Sequence, residues 1–242
     1  MTSIVITGGL GFLGQNLARA ILQRTTTPLI LKLVDIPTNH AFNTDTTDSM
    51  PWINNIDLGT STIEIVLGDI SDPTFCDQVI DQNTTSVYHL AAAMSGACET
   101  DPTLAMQTNV LGTMNLLSSV KKRSSSLSSS STSSPPTFVF ASSGAVFGTN
   151  EGVVSDTTKL LPETTYGMTK SICEMLINGQ SFYTLVFPPH PFTRLLLIVL
   201  TDIFLYVSFS FSFADANRRK DIVGRTARLP TVVVRPGGAN AA

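Results

Sequence analysis

Three observations predict an α/β fold with a doubly wound parallel sheet, the Rossmann arrangement. Short β-branched and aliphatic runs alternate with amphipathic stretches over residues 1–178, as strands and covering helices do. A glycine-rich turn, Gly8-Gly9-Leu10-Gly11-Phe12-Leu13-Gly14, joins the first run to the first amphipathic stretch. An acid, Asp35, closes the second run about twenty residues after Gly14, where dinucleotide-binding folds place one.

The strands read as 3–7, 29–35, 62–68, 86–90, 137–142 and 231–235, giving a sheet of order 3-2-1-4-5-6. Helices occupy 12–24, 103–122 and 166–178. The first carries Phe12, Leu13, Leu17, Ala20 and Ile21 on one face at helical spacing. Two stretches break the alternation. Residues 124–134 are almost all serine and too polar to offset their ordering entropy, so they read as a flexible surface loop. Residues 194–213 are apolar enough to raise a membrane span. Asp202 in mid-run costs about 2.5–3.5 kcal/mol in a bilayer, and Val207-Ser-Phe-Ser-Phe-Ser-Phe213 alternates like a strand, so no span is expected.

The chain has 242 residues and a formal net charge of -3, with no basic run interleaved with aromatics. Nucleic acid is therefore not an expected partner. Three scattered cysteines, Cys76, Cys98 and Cys173, suit a reducing compartment. Three scattered histidines supply no ligand set, and no metal is assigned. Ile4-Val5-Ile6 is too short for a signal-peptide core and lacks a preceding basic region, so it reads as a strand and the chain as cytoplasmic.

The glycine turn defines the cofactor site. Gly8 permits the tight turn, Gly11 lets the backbone approach a pyrophosphate, and Gly14 permits close packing of helix on strand, with Phe12 and Leu13 in the first turn facing the phosphates. Asp35 accepts hydrogen bonds from the adenosine ribose and repels a 2′-phosphate, so NAD is expected over NADP. Asp69 and Ile70 suit the adenine edge. Leu90, Ala91 and Ala92 end the fourth strand with side chains that let a cofactor lie against the backbone, and Asn109 can bond a nearby carbonyl. His89 reads as a packed, hydrogen-bonded strand residue.

Tyr166 and Lys170 lie four residues apart, on one face of a helix. A nearby cation favours a phenolate, moving Tyr166 from its ordinary pKa of about 10 toward the working pH. Tyr166 then takes the proton of a substrate hydroxyl, Lys170 bonds the nicotinamide ribose, and Ser143, at the end of the fifth strand, bonds the reacting oxygen.

These residues resemble the extended short-chain dehydrogenase/reductase family, which includes nucleotide-sugar epimerases and dehydratases. The resemblance rests on Gly68-Asp69-Ile70, the strand end His89 to Ala93, Thr108 to Thr113, Ser142-Ser143 and Tyr166 with Lys170. Met94-Ser95-Gly96, Ala145-Val146-Phe147-Gly148 and Arg228 to Gly237 look closer to the D-erythronate dehydrogenase branch, and Phe147 stands where sugar epimerases often carry tyrosine. The resemblance implies a catalytic triad of Ser143, Tyr166 and Lys170, a substrate wall at Ser95 and Gly96, and NAD-dependent oxidation of a secondary hydroxyl of a small sugar acid to the 2-oxo acid. It also implies pairing of two copies through the long helices. A nucleotide-sugar 4-epimerase or dehydratase is the alternative on the same fold, and a catalytically impaired NAD-binding remnant the alternative outside it.

Two departures stand out against that family. About forty residues, 179–217, intervene before the expected last strand, beyond the usual loop range, and the chain stops at Ala242 with the substrate lobe largely absent. The expected organisation is an NAD-binding domain over 1–178, an atypical apolar insertion over 179–217, and a last strand with a shortened C-terminus over 218–242. Codons for Gly179-Gln180-Ser181 and Ala214-Asp215 can spell splice-donor-like and branch-point-like sequences, so the insertion reads as a translated intron or a mispredicted gene model.

Overall fold

The computed structural model describes residues 1–37, 50–125, 136–149, 154 and 158–185. Five strands, β1 (Thr2–Thr7), β2 (Leu29–Asp35), β3 (Thr62–Leu67), β4 (Thr84–His89) and β5 (Thr137–Phe140), form one sheet of order β3-β2-β1-β4-β5. Every pairing is parallel. Thr7 is level with Val34 on one side and His89 on the other, so the carboxyl ends of three strands meet at one edge. The chain reverses its direction of travel across the sheet between β1 and β4, and the crevice there is where such folds bind ligands. The expected strand 231–235 lies outside the described residues.

Parallel strands joined by crossover helices are covered on both faces, so apolar residues fill them without strict alternation. Val5 and Val34 face one way, beside Val87, Phe138 and Phe140. Ile6, Leu31 and Leu33 face the other, where helix α1 (Phe12–Arg24) lays Leu17, Ala18 and Leu22 against them. The first face is covered by α2 (Pro73–Val79), α5 (Gly112–Ser125) and α6 (Thr165–Leu185), through Cys76, Leu116, Val120, Cys173 and Ile177.

β4 begins at Thr84 rather than 86, and β5 ends at Phe140 rather than 142; three further boundaries differ from expectation for local reasons. The stretch expected as one helix over 103–122 is α4 (Pro102–Ala105), a π-helical turn (Met106–Leu111) and α5 in succession, after a short α3 (Ser95–Thr100). The serine-rich loop begins later than expected, because Ser124 is buried and donates to the Val120 carbonyl, continuing the helix; residues 126–135 lie outside the description. Helix α6 runs beyond residue 178 to Leu185, since nothing forbids helix before Pro188. The expected insertion therefore begins as helix, and its remainder, like residues 218–242, lies outside the described residues.

The end of the sheet away from the crevice is tied by Lys32. Its side chain is 9% exposed, and Nζ lies 2.7 Å from Asp81 Oδ2 and 3.1 Å from the Val79 carbonyl. Burial opposes ionisation of Asp81, but hydrogen bonds from Lys32 and the Asn83 amide outweigh it and hold the carboxyl below its usual range. That stabilisation is present above the pKa of an unfolded aspartate, about 3.9, and is lost as the pH falls through the lower folded value. Asp81→Asn is expected to cost about 1 kcal/mol at pH 7, the size of a partly screened pair. Urea unfolding at several pH values checks this: the gap to wild type should close in acid.

Candidate active site

The crevice is lined first by the glycine turn, and its close contacts explain the residues chosen. Gly8 has φ +69°, and a Cβ there would lie 2.9 Å from the Ala91 nitrogen. A Cβ on Gly14 would lie 2.2 Å from the Gly8 carbonyl. Gly11 caps α1 without a side chain, so nothing of its own covers the first-turn amides. An uncovered helix N-terminus with close backbone approach fits a pyrophosphate. Phe12 and Leu13 are exposed beside it. Asp35 has a task that the sequence did not show: its Oδ2 accepts the Leu10 amide at 3.0 Å, tying the turn to β2.

Asp69 is exposed and accepts the Ser71 amide, open to a ligand. The Ile70 side chain instead enters the core against Gly112, where a Cβ would meet it at 2.7 Å, so only its backbone remains to meet an adenine. Leu90 packs on the α1 face of the sheet, while the amide of half-buried Ala91 donates to Thr7 Oγ1 at 3.3 Å. Ala92 is half-buried next to them.

Asn109 is 2% exposed and serves as a brace. Its Oδ1 accepts the Ala93 amide at 2.7 Å, and its Nδ2 donates to the Ala93 carbonyl and to Thr169 Oγ1 at 3.0 Å. The end of β4 is thereby joined to α6. The π-helical turn that presents it matches the tendency of such turns to sit at functional sites.

His89 is a packed strand residue and more. Thr113 Oγ1 donates to the Asn109 carbonyl, so it must accept from His89 Nε2, 2.9 Å away. The ring is then protonated on Nε2, and its Nδ1 accepts from Thr7 Oγ1 at 2.7 Å. Burial, helped by the Lys170 charge, pushes its pKa down to about 3, so it stays neutral at physiological pH and is not a base.

Ser143, Tyr166 and Lys170 come together as expected. The Ser143 hydroxyl favours the ionised form of the Tyr166 phenol and caps the 3-10 turn Gly144–Phe147 by accepting the Ala145 amide. Gly167 lets α6 press on that turn, a Cβ there falling 2.4 Å from the Ala145 carbonyl. Lys170 is 3% exposed; Nζ bonds the Ala141 carbonyl at 2.9 Å and lies 4.6 Å from the Phe140 ring centre and 5.8 Å from that of Tyr166. Burial pushes its pKa down to about 8. The expected lowering of Tyr166 is not found: burial raises the phenol, with the Ser143 bond working against that rise.

Ser95 and Gly96 open α3 on the exposed rim, with free space where a Gly96 Cβ would point. The same helix supplies a residue that the sequence did not flag. Glu99 accepts from Thr165 Oγ1 at 3.0 Å and from the Tyr166 amide at 3.3 Å, capping α6 from outside and fixing the rim to the tyrosine. Among the described residues no cluster of acids, cysteines and histidines could hold a metal, and no helix is long and apolar enough to cross a membrane.

The sheet order and the glycine turn define a Rossmann-like α/β protein. Residues 5–183 match the GDP-mannose 4,6 dehydratase family, and the chain belongs to the NAD-dependent epimerase/dehydratase group, the extended short-chain dehydrogenases/reductases. Over 99% of its length it is 32% identical to the D-erythronate dehydrogenase of Cupriavidus necator and 30% identical to that of Haemophilus influenzae. It spans 58% of the length of each. In fold it is similar to a nucleoside-diphosphate-sugar epimerase from Agrobacterium tumefaciens, with a TM-score of 0.60 and 24% identity over 75% of this chain and 49% of that one. It is likewise similar to the Thermus thermophilus UDP-glucose 4-epimerase in complex with NAD, with a TM-score of 0.57 and 24% identity over 77% and 52%.

Two glycine substitutions should separate a built contact from open space. Gly14→Ala forces the turn apart and is expected to cost about 1–3 kcal/mol, whereas Gly96→Ala should stay within about 0.5 kcal/mol of wild type. Urea unfolding of both variants measures the contrast.

Proposed function

We propose that this site binds NAD and oxidises a secondary hydroxyl of a small sugar acid, D-erythronate or a near relative, to the 2-oxo acid. The observation that carries the reading is the meeting of Ser143 and Tyr166 beside buried Lys170, at the sheet edge that also bears the glycine turn. Likeness to two D-erythronate dehydrogenases along 99% of the chain supports the substrate class.

Gly8, Gly11 and Gly14 would hold NAD, with Asp35 as the acceptor for its ribose, and the cofactor when bound would supply a hydride acceptor. Ser143 holds the substrate oxygen next to Tyr166, which as phenolate removes the hydroxyl proton while the C–H hydride leaves. Lys170 brings a positive charge to the phenolate and a donor to the ribose. Ser95 and Gly96 form the wall toward substrate. Exposed Leu104, Met106, Leu111 and Met114 on one helical stretch, with Met168 and Met175 on α6, support pairing of two such chains.

Because burial raises Tyr166, oxidation should accelerate as the pH rises through its ionisation. Tyr166→Phe should lower kcat at least about a hundredfold and leave NAD affinity within about threefold, with NADH absorbance as the assay. Net NADH from D-erythronate supports a dehydrogenase. Interconversion of sugar nucleotides without net NADH would instead favour an epimerase, and NAD binding without turnover the impaired remnant.

Asp35 should also decide between the cofactors. Isothermal titration of wild type is expected to show tight NAD and weak NADP binding, and Asp35→Asn should narrow that preference about tenfold by removing the charge that faces a 2′-phosphate. Equal wild-type affinity for both would overturn the assignment.

A further inference from the structure

Helix α6 carries a third polar residue on the face that bears Tyr166 and Lys170, and the function so far leaves it unused. Glu174 follows Lys170 by four residues, as Lys170 follows Tyr166, so the three stack in successive turns. Glu174 is 6% exposed, and a carboxylate that deep in a helix–sheet interface requires a partner. Its Oε1 accepts a hydrogen bond from the Ser142 hydroxyl. Ser142 immediately follows Ala141, whose carbonyl receives Lys170 Nζ, and immediately precedes Ser143. Two neighbouring points at the end of β5 are thus gripped by two successive turns of α6.

We propose that Glu174 is a positioning residue for this site: its buried carboxylate is the counter-charge that keeps Lys170 an ammonium, and through Ser142 it fixes the strand end that presents Ser143. The proposal rests on the dehydrogenase reading for its purpose, since hydride chemistry there needs a charged Lys170.

The surroundings of Lys170 leave that role to Glu174. On α6 its titratable neighbours are Tyr166, Cys173 and Glu174; from α3 comes Cys98; β4 contributes His89; and β5 offers the Phe140 ring and the Ala141 carbonyl. Burial raises the Tyr166 phenol and the Cys98 and Cys173 thiols, so all three are neutral at physiological pH, as is His89. Burial also raises Glu174, but Ser142 and Lys170 both favour its charged form. Phe140 contributes the face of a π-system, weaker than a full charge. Without Glu174 the ammonium would be buried against one carbonyl and the faces of two rings, Phe140 and Tyr166.

The test reads the lysine directly and needs no turnover. In the whole chain labelled with 13C at the lysine ε-carbons, Lys170 is one of six lysines and is assigned by its absence in Lys170→Arg. Its titration midpoint should fall by about one pH unit in Glu174→Gln, which preserves size and an acceptor for Ser142 but not the charge. Ser142→Ala, which removes the donor that favours ionised Glu174, should move the midpoint the same way. A purely structural Glu174 predicts an unchanged midpoint in a folded Glu174→Gln protein, and that result would overturn the proposal. Should that variant fail to fold, 13C-glutamate titration of wild type decides. A Glu174 midpoint below that of Lys170 supports the pair, and a carboxyl still protonated where Lys170 loses its proton overturns it. Absence of NAD binding or of NADH formation would sink the functional reading and leave these midpoints readable.

Discussion

A chain of buried hydrogen bonds runs from β1 to the π-helical turn and on to the helix of Tyr166: the Ala91 amide donates to Thr7, Thr7 to His89, His89 to Thr113, and Thr113 to the Asn109 carbonyl. From Asn109 the side chain continues to Ala93 and Thr169. Each link contributes only about 1 kcal/mol net, yet breaking one leaves a buried group unpaired at about 1–3 kcal/mol. The whole sequence works in one direction only, because each hydroxyl has a single proton to give. Protonating His89 would reverse its bond to Thr7, and burial keeps it neutral. The glycine turn and the helix of Tyr166 are held at a fixed separation by this constraint.

Features carried by local spacing were legible in the sequence. Phe12–Arg24 and Leu29–Asp35 appear with the expected ends, and the triad residues meet as the spacing of Tyr166 and Lys170 and the strand end at Ser143 implied. What could not be read depends on partners distant in the chain. Glu99 meets Tyr166 across 67 residues, and Asn109 meets Thr169 across 60; no periodicity encodes either. Glu174 did carry a signal. A charge at the fourth position after Lys170, on the stripe shared with buried Cys173 and Ile177, is misplaced for a helix packed on a sheet unless something receives it. The Tyr166 ionisation is not legible in the spacing, which reports which residues are near each other and says nothing of how much water they lose.

Electrostatically the site is sparse. Among the groups around the crevice, burial drives Lys170, His89 and Tyr166 toward their neutral forms. In such a medium one full charge acts strongly, since the solvent that would screen it has been removed. A cation with few competitors therefore has its greatest influence on the oxygen closest to it. The same dryness costs stability, because Lys170 binds its proton less firmly folded than unfolded; the penalty is full below about pH 8 and is relieved as the pH rises toward the ordinary lysine value.

Trp52 is the single tryptophan of the chain. Its indole N–H donates to Gln15 Oε1 at 3.1 Å, and Gln15 Nε2 donates in turn to the Leu10 carbonyl inside the glycine turn at 2.8 Å. The only indole is therefore wired, through one amide side chain, to the backbone of the glycine turn. Its emission is a label-free optical gauge of that turn, with no second fluorophore of its kind to dilute the signal.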